Sequence, residues 1–137
     1  MAYWLLKSEP MKYSWDQMVK DGRTHWDGVR NFQAANNLRA MQEGDRAFFY
    51  HSNEGKEIVG IVKIVRTFYP DPGDASGKFG MVDVAPVTPV KQPVTLAEMK
   101  GVADLAQFSL LRQSRLSVCP VSDSEWRIIC GMAGTSA

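Results

Sequence analysis

The chain has 137 residues, of which 45% are apolar and 23% are charged. This composition is that of an ordinary globular protein and excludes wholesale disorder. Lysine and arginine number 16 against 15 aspartate and glutamate, so the formal net charge is only +1. A broad basic surface for nucleic acid requires a larger excess, and any such function must therefore depend on a local site. The length predicts one domain over residues 1–137.

The first residues and the two cysteines indicate in which cellular compartment the protein is expected. The opening sequence MAYWLLKSEP has a short apolar run without the basic segment that begins a signal peptide. No stretch approaches the ~20 apolar residues that span a bilayer, so no membrane partner is expected. Cys119 and Cys130 are too few for a disulfide framework, which predicts a reduced compartment, cytoplasmic or, in a eukaryote, nuclear. We also expect a monomer.

A first helix is predicted over residues 14–20. Ser14 can cap it, and Gln17 lies three residues further on, as in a capping box. Gly22 is suited to end it.

A second helix is predicted over residues 31–41. Its apolar stripe has the spacing i, i+4, i+7 and consists of Ala34, Leu38 and Met41. Asn31 is a suitable N-cap, and Gly44 lies just past the end. The start of this helix therefore presents free backbone N–H groups to whatever lies beside residues 29–31.

Strands are predicted in five places, at residues 3–7, 45–51, 57–69, 81–87 and 116–121. Gly60 within the long β-branched run indicates a bulge or a tight bend. Pro86 and Pro89 are expected to limit the pairing of the fourth strand.

Short helices complete the second half. Two capping boxes open them, Thr95 with Glu98 for residues 95–100 and Ser122 with Glu125 for residues 122–129. Residues 103–111 predict a helical turn, and Gly131 is expected to end the last helix. Five or six strands with several short helices, and no regular βαβ alternation, predict an α+β fold with a small curved sheet or barrel.

The residue pattern gives little support for a metal site, a catalytic cysteine or a phosphate-binding loop. The candidate ligands His25, His51, Cys119 and Cys130 are not at metal-ligand spacings, so we expect neither a metal nor a cofactor. Cys119 stands in an apolar strand, where a thiol is usually inert. The loop GDASGKF, residues 73–79, lacks the hydroxyl residue and the following helix of a phosphate-binding loop, and predicts a hairpin connection.

The segment Trp26-Asp27-Gly28-Val29-Arg30-Asn31 carries the strongest binding signal. A base pocket needs a flat aromatic ring, fixed donors and acceptors at the base edge, and cations for phosphate. All three stand here beside a helix start. A single tryptophan is more often a core residue, and that alternative stays open.

Two further polar segments follow strands and could converge on this one. They are Lys7-Ser8-Glu9 and Tyr50-His51-Ser52-Asn53. Each is equally consistent with a recognition edge and with a solvated turn. Arg112 and Arg115 add positive charge near the last strand.

Several long motifs resemble one family. They are YWLLKSEP, WDGVRNFQAANNLR, GDRAFFYHSN followed by IVGI, MVDV, and RLSVCPV. In order and spacing they resemble the EVE domain over nearly the whole chain. The resemblance implies a PUA-like fold, a bent and largely antiparallel β-barrel of five to six strands with several short helices, similar to that of YTH domains.

The resemblance also implies a function, since EVE domains are regarded as readers of modified bases in nucleic acid. It assigns a base pocket to nine residues: Ser8, Trp26, Asp27, Val29, Asn31, His51, Ser52, Leu116 and Ser117. Phosphate contacts are expected from Lys7, Arg30 and Arg115.

Three hypotheses follow for the function. The first is a non-catalytic reader in which Trp26 stacks on a flipped base and Ser8 and Asn31 read its edge. The second is an enzyme acting on a modified nucleobase or nucleotide, with Glu9, Asp27 or His51 as acid or base. The third is a binder of a small metabolite in the same pocket.

Overall fold

Six strands form one sheet in the computed structural model, which describes residues 1–136. They are β1 (Tyr3–Ser8), β2 (Thr24–Trp26), β3 (Arg46–His51), β4 (Glu57–Pro70), β5 (Gly80–Thr95) and β6 (Val118–Val121), in the sheet order β2-β5-β4-β3-β1-β6. Only β1 and β3 pair in parallel, and the other neighbours are antiparallel. The predicted α+β class with a largely antiparallel sheet is confirmed.

The sheet is strongly bent. In a flat sheet, the three steps from β2 to β3 would separate the two strands by about 14 Å. The rings of Trp26 on β2 and Phe49 on β3 instead meet edge to face, with centroids 5.6 Å apart. The sheet therefore curves as in a barrel, although the edge strands β2 and β6 do not pair with each other.

Gly60 marks a bulge, as its place in the long strand predicted. The pairing of β4 shifts register beside Gly60 against both of its neighbours, β3 and β5. A Cβ atom at this position would lie 2.5 Å from the ring of Trp15. Glycine is therefore required here because the Trp15 ring packs directly on the backbone.

The expectation that two prolines limit pairing of the fourth strand is wrong. β5 runs through Pro86 and Pro89, which stand opposite Val62 and Gly60 of β4. β2 covers β5 only as far as Val84, so beyond that point one edge of β5 is unpaired. A proline is tolerated where its missing N–H would face such an edge or a bulge.

Within residues 1–136, five α-helices and one short 3₁₀ turn (Ala103–Leu105) connect and cover the sheet. The helices are α1 (Trp15–Asp21), α2 (Phe32–Ala40), α3 (Leu96–Lys100), α4 (Ser109–Arg112) and α5 (Asp123–Ala133). Among residues 1–136, no helix combines the length and the apolar character needed to cross a membrane.

The predicted helix caps are formed at most positions. Thr95 and Ser122 each take part in a complete capping box. Ser14 accepts from the Gln17 backbone N–H, but the Gln17 side chain donates to Asp21, so this box is only half formed.

The prediction that Gly131 ends the last helix is wrong, because α5 continues to Ala133. Gly134 has a φ of 68°, the left-handed conformation that ends a helix, whereas Gly131 lies within it. A glycine inside a helix costs about 1 kcal/mol, and burial of Ala133 against the core offsets this cost.

Trp126 fixes α5 against the sheet. Its indole stacks on the ring of Phe48 of β3, with the ring centroids 4.0 Å apart, and on the ring of Tyr3 of β1, with the centroids 4.3 Å apart. This packing holds the C-terminal helix on one side of the sheet, and the ends of β1 and β2 remain accessible elsewhere.

Candidate nucleic-acid interface

Two polar depressions on the surface each share a wall residue with a third, smaller cavity. The β1–β2 cavity has a volume of about 290 Å³ and is lined by Lys7, Ser8, Glu9, Lys12, Tyr13, Thr24, His25, Trp26 and Asp27. The α2–α4 cavity, of about 340 Å³, is lined by Asn31, Gln33, Arg112, Gln113, Ser114, Arg115 and Leu116. A connecting cavity of about 160 Å³ lies against Lys7 and Ser114, which each belong to one of the other two.

Trp26 is both a core residue and a wall of the β1–β2 cavity. It is only 8% exposed and packs against Phe49. It ends β2, whose three residues pair with β5. The rigid sheet therefore fixes the ring at the cavity.

Ser8 closes the segment that follows β1. Its hydroxyl donates to the carbonyl oxygen of Tyr13 at 2.6 Å, and the Tyr13 N–H donates to the Glu9 carbonyl at 2.9 Å. These bonds fold residues 9–13 over the end of the strand and place Tyr13 on the cavity wall. The Ser8 oxygen retains acceptor capacity for a ligand, while its proton is already used.

Asp71, in the loop between β4 and β5, anchors the loop that follows Trp26. Its Oδ2 accepts from the Gly28 N–H and from Arg30 Nη1, both at 3.0 Å, and its Oδ1 accepts from the Gly73 N–H at 2.8 Å. The backbone hydrogen bonds from Gly28 and Gly73 lower the pKa of this carboxyl, with Arg30 adding to the effect. Gly28 has a φ of 75°, which favours glycine at this turn.

Two residues of this loop have structural roles. Arg30, expected at phosphate, is paired with Asp71, although its side chain is 42% exposed. Val29, expected in the base pocket, is buried in the hydrophobic core.

Asn31 faces the α2–α4 cavity as well as capping α2. Its Oδ1 accepts from the Ala34 N–H at 3.0 Å, as predicted for an N-cap, and its Nδ2 group has no partner within residues 1–136. Leu116 and Arg115 line the same cavity. These three residues are thus close to one another but belong to a different depression from Ser8 and Trp26.

Three other residues that were expected in the base pocket line neither the β1–β2 cavity nor the α2–α4 cavity. Ser52 lines the connecting cavity. His51 lines none of these depressions; its Nε2 accepts from the Trp15 N–H at 3.1 Å, and burial lowers its pKa. Ser117 is half-buried and accepts the Lys7 N–H through its carbonyl oxygen at 3.0 Å.

Lys7 lies at the junction of the depressions. Its Nζ donates to the Ser114 carbonyl at 2.7 Å, and burial lowers its pKa. The side chain borders both the β1–β2 cavity and the connecting cavity.

The EVE domain family model matches residues 2–132. The chain belongs to the EVE domain family. Thymocyte nuclear protein 1 of Rattus norvegicus is 37% identical in an alignment that covers 95% of this chain and 73% of the relative.

Solved structures of similar proteins agree with this assignment. A Rhodopseudomonas palustris protein solved by NMR is 56% identical, with a TM-score of 0.93 over 98% of this chain and 94% of its own. Human THYN1, in complex with DNA containing 5-methylcytosine, is 33% identical over the whole of both chains, with a TM-score of 0.89. A YTH domain of Zygosaccharomyces rouxii, at 14% identity and a TM-score of 0.61 over 96% of this chain and 86% of its own, shows the likeness of fold alone.

A cluster beside the cavity of this EVE domain escaped the sequence analysis. Buried Asp83 of β5 accepts hydrogen bonds from Arg23 and Tyr69 and lies 2.9 Å from His25 Nδ1. Burial raises the pKa of the Asp83 carboxyl, but hydrogen bonds from His25, Tyr69 and Arg23 outweigh burial and lower it to about 2. The cluster fixes His25 on the cavity wall. Antiparallel pairing of β2 with β5 brings its members together.

Neither cysteine of the EVE domain lines the depressions described above. Both are buried and free, and burial raises the pKa of each thiol to about 11. Cys119 donates its S–H to the Leu116 carbonyl at 3.4 Å. Within residues 1–136, no three or more His, Cys, Asp or Glu residues are grouped as a metal site requires.

Proposed function

We propose that this EVE domain binds nucleic acid by holding one modified base in the β1–β2 cavity, and that it catalyses no reaction. The observation that carries the proposal is the similarity to human THYN1, whose structure contains DNA with 5-methylcytosine. The similarity extends over the whole of both chains, so it includes the strands and loops around the cavity.

The chemistry of the cavity suits a single base. Its volume of about 290 Å³ lies just below the ~300–1,000 Å³ typical of drug-sized ligand sites. Trp26 and Tyr13 supply aromatic surface, and stacking on such a ring contributes ~1–3 kcal/mol per base. Ser8 and Asp27 supply polar groups for the base edge.

Cations near the cavity are suited to phosphate. In this proposal Lys7 and Arg115 contact the phosphate backbone of the nucleic acid. Such contacts position the strand but do not read its base sequence. Arg30 acts mainly through Asp71, because that ion pair holds the loop between β2 and α2.

The decisive experiment compares oligonucleotides that differ only by the methyl group of one cytosine. Fluorescence anisotropy at fixed low salt should give tighter binding to the 5-methylcytosine strand. Trp26→Phe, which keeps an aromatic core residue but reduces the stacking surface, should lose part of this preference.

Trp4→Phe is the matched control for that variant. Trp4 is 7% exposed, lines neither of the main depressions, and donates its indole N–H to Asp45. The Trp4→Phe variant should be less stable than the wild type but should keep the preference for the modified base. Equal binding of methylated and unmethylated strands by the wild type, across a panel of other modified bases as well, would refute the proposal.

An enzyme remains the second candidate, because two carboxylates, Glu9 and Asp27, line the same cavity. Glu9 is paired with Lys12 at 3.3 Å. Incubation of modified nucleotides with excess protein, followed by mass analysis, distinguishes the candidates: a new product would favour the enzyme. Competition by free nucleoside that matches the oligonucleotide in affinity would favour a metabolite binder.

A further inference from the structure

The α2–α4 cavity is lined by cations and neutral polar groups, with no carboxylate. Arg112 and Arg115 contribute guanidinium groups, and Asn31, Gln33 and Gln113 contribute side-chain amides. The β1–β2 cavity differs because Glu9 and Asp27 balance its two lysines. The two depressions are therefore suited to different chemical groups.

The two arginines of this cavity are uncompensated. Within residues 1–136, the Arg112 guanidinium donates only to the neutral Gln107 amide oxygen, at 3.2 Å, and Arg115 has no ion-pair partner. By contrast, Arg23 and Arg30 are neutralised by the buried Asp83 and Asp71. In a chain with a net charge of only +1, this places unbalanced positive charge in one depression.

The connecting cavity shares one wall residue with this cavity and another with the proposed base site. Lys7 borders the β1–β2 cavity and Ser114 borders the α2–α4 cavity, and the two residues line the connecting cavity together. The bond of 2.7 Å from Lys7 Nζ to the Ser114 carbonyl fixes this junction. Lys7 retains further ammonium donors for a ligand crossing above it.

We propose that the α2–α4 cavity is a phosphodiester site, which binds the backbone phosphate next to the modified base. The inference rests on the proposed function. Guanidinium forks form charge-assisted, bidentate hydrogen bonds with phosphate oxygens, and the neighbouring amides add donors. The strand runs from the β1–β2 cavity over Lys7, and the phosphate binds Arg112 and Arg115. This site tethers the strand whatever the flanking base.

The experiment uses two ligands, the nucleoside 5-methyl-2′-deoxycytidine and a three-nucleotide strand with 5-methylcytosine at its centre. The proteins are the full chain, Arg112→Gln, Arg115→Gln and the double variant. The matched control is Arg127→Gln, because Arg127 is exposed on α5 and lines none of the depressions described above. Equal thermal unfolding midpoints establish that each variant is folded, and NMR titration measures binding.

The expected result separates the two ligands. The double variant should bind the three-nucleotide strand about tenfold more weakly, as the loss of a charge-assisted hydrogen bond implies, and should bind the nucleoside as the wild type does. For a single strand, the slope of log K against log salt should become shallower by about 0.7 for each phosphate that the variant no longer binds. Arg127→Gln should leave both affinities within about twofold of the wild type.

Four outcomes would overturn the inference. Equal weakening by Arg127→Gln and the double variant would show a general charge effect. Parallel loss of nucleoside affinity would show that the arginines support the base cavity instead. If the wild type binds the nucleoside but the double variant binds the strand normally, the phosphate site fails and the proposed function stands; if the wild type binds neither ligand, both fail.

Discussion

Removal of the Asp71 carboxylate should release the loop between β2 and α2. Asp71 accepts two backbone N–H groups and the Arg30 guanidinium. A hydrogen bond to a charged group contributes ~1.5–3 kcal/mol net, but Gly28 and Gly73 are exposed, so water replaces part of each bond. The half-exposed Arg30 pair adds less than about 1 kcal/mol. We therefore expect Asp71→Ala to lower the free energy of unfolding by about 2–3 kcal/mol.

Urea denaturation followed by circular dichroism measures this loss, and Asp71→Asn is the matched control. Asparagine keeps the volume and one acceptor oxygen, so it should lose about half as much stability. Since the folded-state pKa of Asp71 lies below its ordinary value of 3.8, its stabilisation is fully present above pH 3.8. It is lost as the pH falls through the depressed pKa, where the wild type and Asp71→Asn should converge.

Binding should respond to the same change. A released loop no longer fixes Asp27 or Asn31, so Asp71→Ala should weaken the preference for a modified base even under conditions where the variant is fully folded. An unchanged unfolding midpoint, together with unchanged hydrogen exchange at the Gly28 N–H, would refute the assignment of Asp71 as the loop anchor.

Three further predictions concern stability. Gly60→Ala should lower the free energy of unfolding by about 1–3 kcal/mol, because the new Cβ would lie 2.5 Å from the Trp15 ring. An unchanged free energy in chemical denaturation would show that the ring moves freely. Gly134→Ala should cost about 1 kcal/mol, since its φ is 68°, and an unchanged melting temperature would contradict the strain. Asp83→Asn should cost about 2 kcal/mol at neutral pH, because the Asp83 pKa falls from 3.8 to about 2. That difference should vanish as the pH is lowered from 3.8 to 2, and persistence at the lower pH would exclude the carboxylate as its origin.

Local patterns predicted most of the fold correctly. Ser122 and Asn31 cap helices because their side chains reach N–H groups only three residues away, and such signals survive in any tertiary context. β2 was missed because three residues cannot show a strand period, and only pairing with β5 makes them a strand. Pro86 was misinterpreted because its tolerance depends on which edge of β5 is unpaired.

The candidate site was less accessible to prediction because its geometry depends on distant contacts. Asp71 lies 43 residues from Gly28 in sequence, and nothing in either local pattern indicates their bond. Tyr13 reaches the cavity only because Ser8 holds its carbonyl. Trp26 and Asn31 were expected in one pocket because they stand in one short polar segment, yet they line separate depressions.

Charge compensation determines how strongly salt should weaken binding. Asp71, Asp83 and Glu9 neutralise Arg30, Arg23 and Lys12. The cations that line the depressions and remain for phosphate are Lys7, Lys56, Arg112 and Arg115. Two or three phosphate contacts on a single strand give a slope of log K against log salt of about −1.4 to −2.1. A slope steeper than about −5 would require a broad basic surface and would refute the two-cavity arrangement. A shallow slope combined with selectivity for the modified base would mean that stacking and edge contacts supply most of the affinity, as a site with so few uncompensated cations requires.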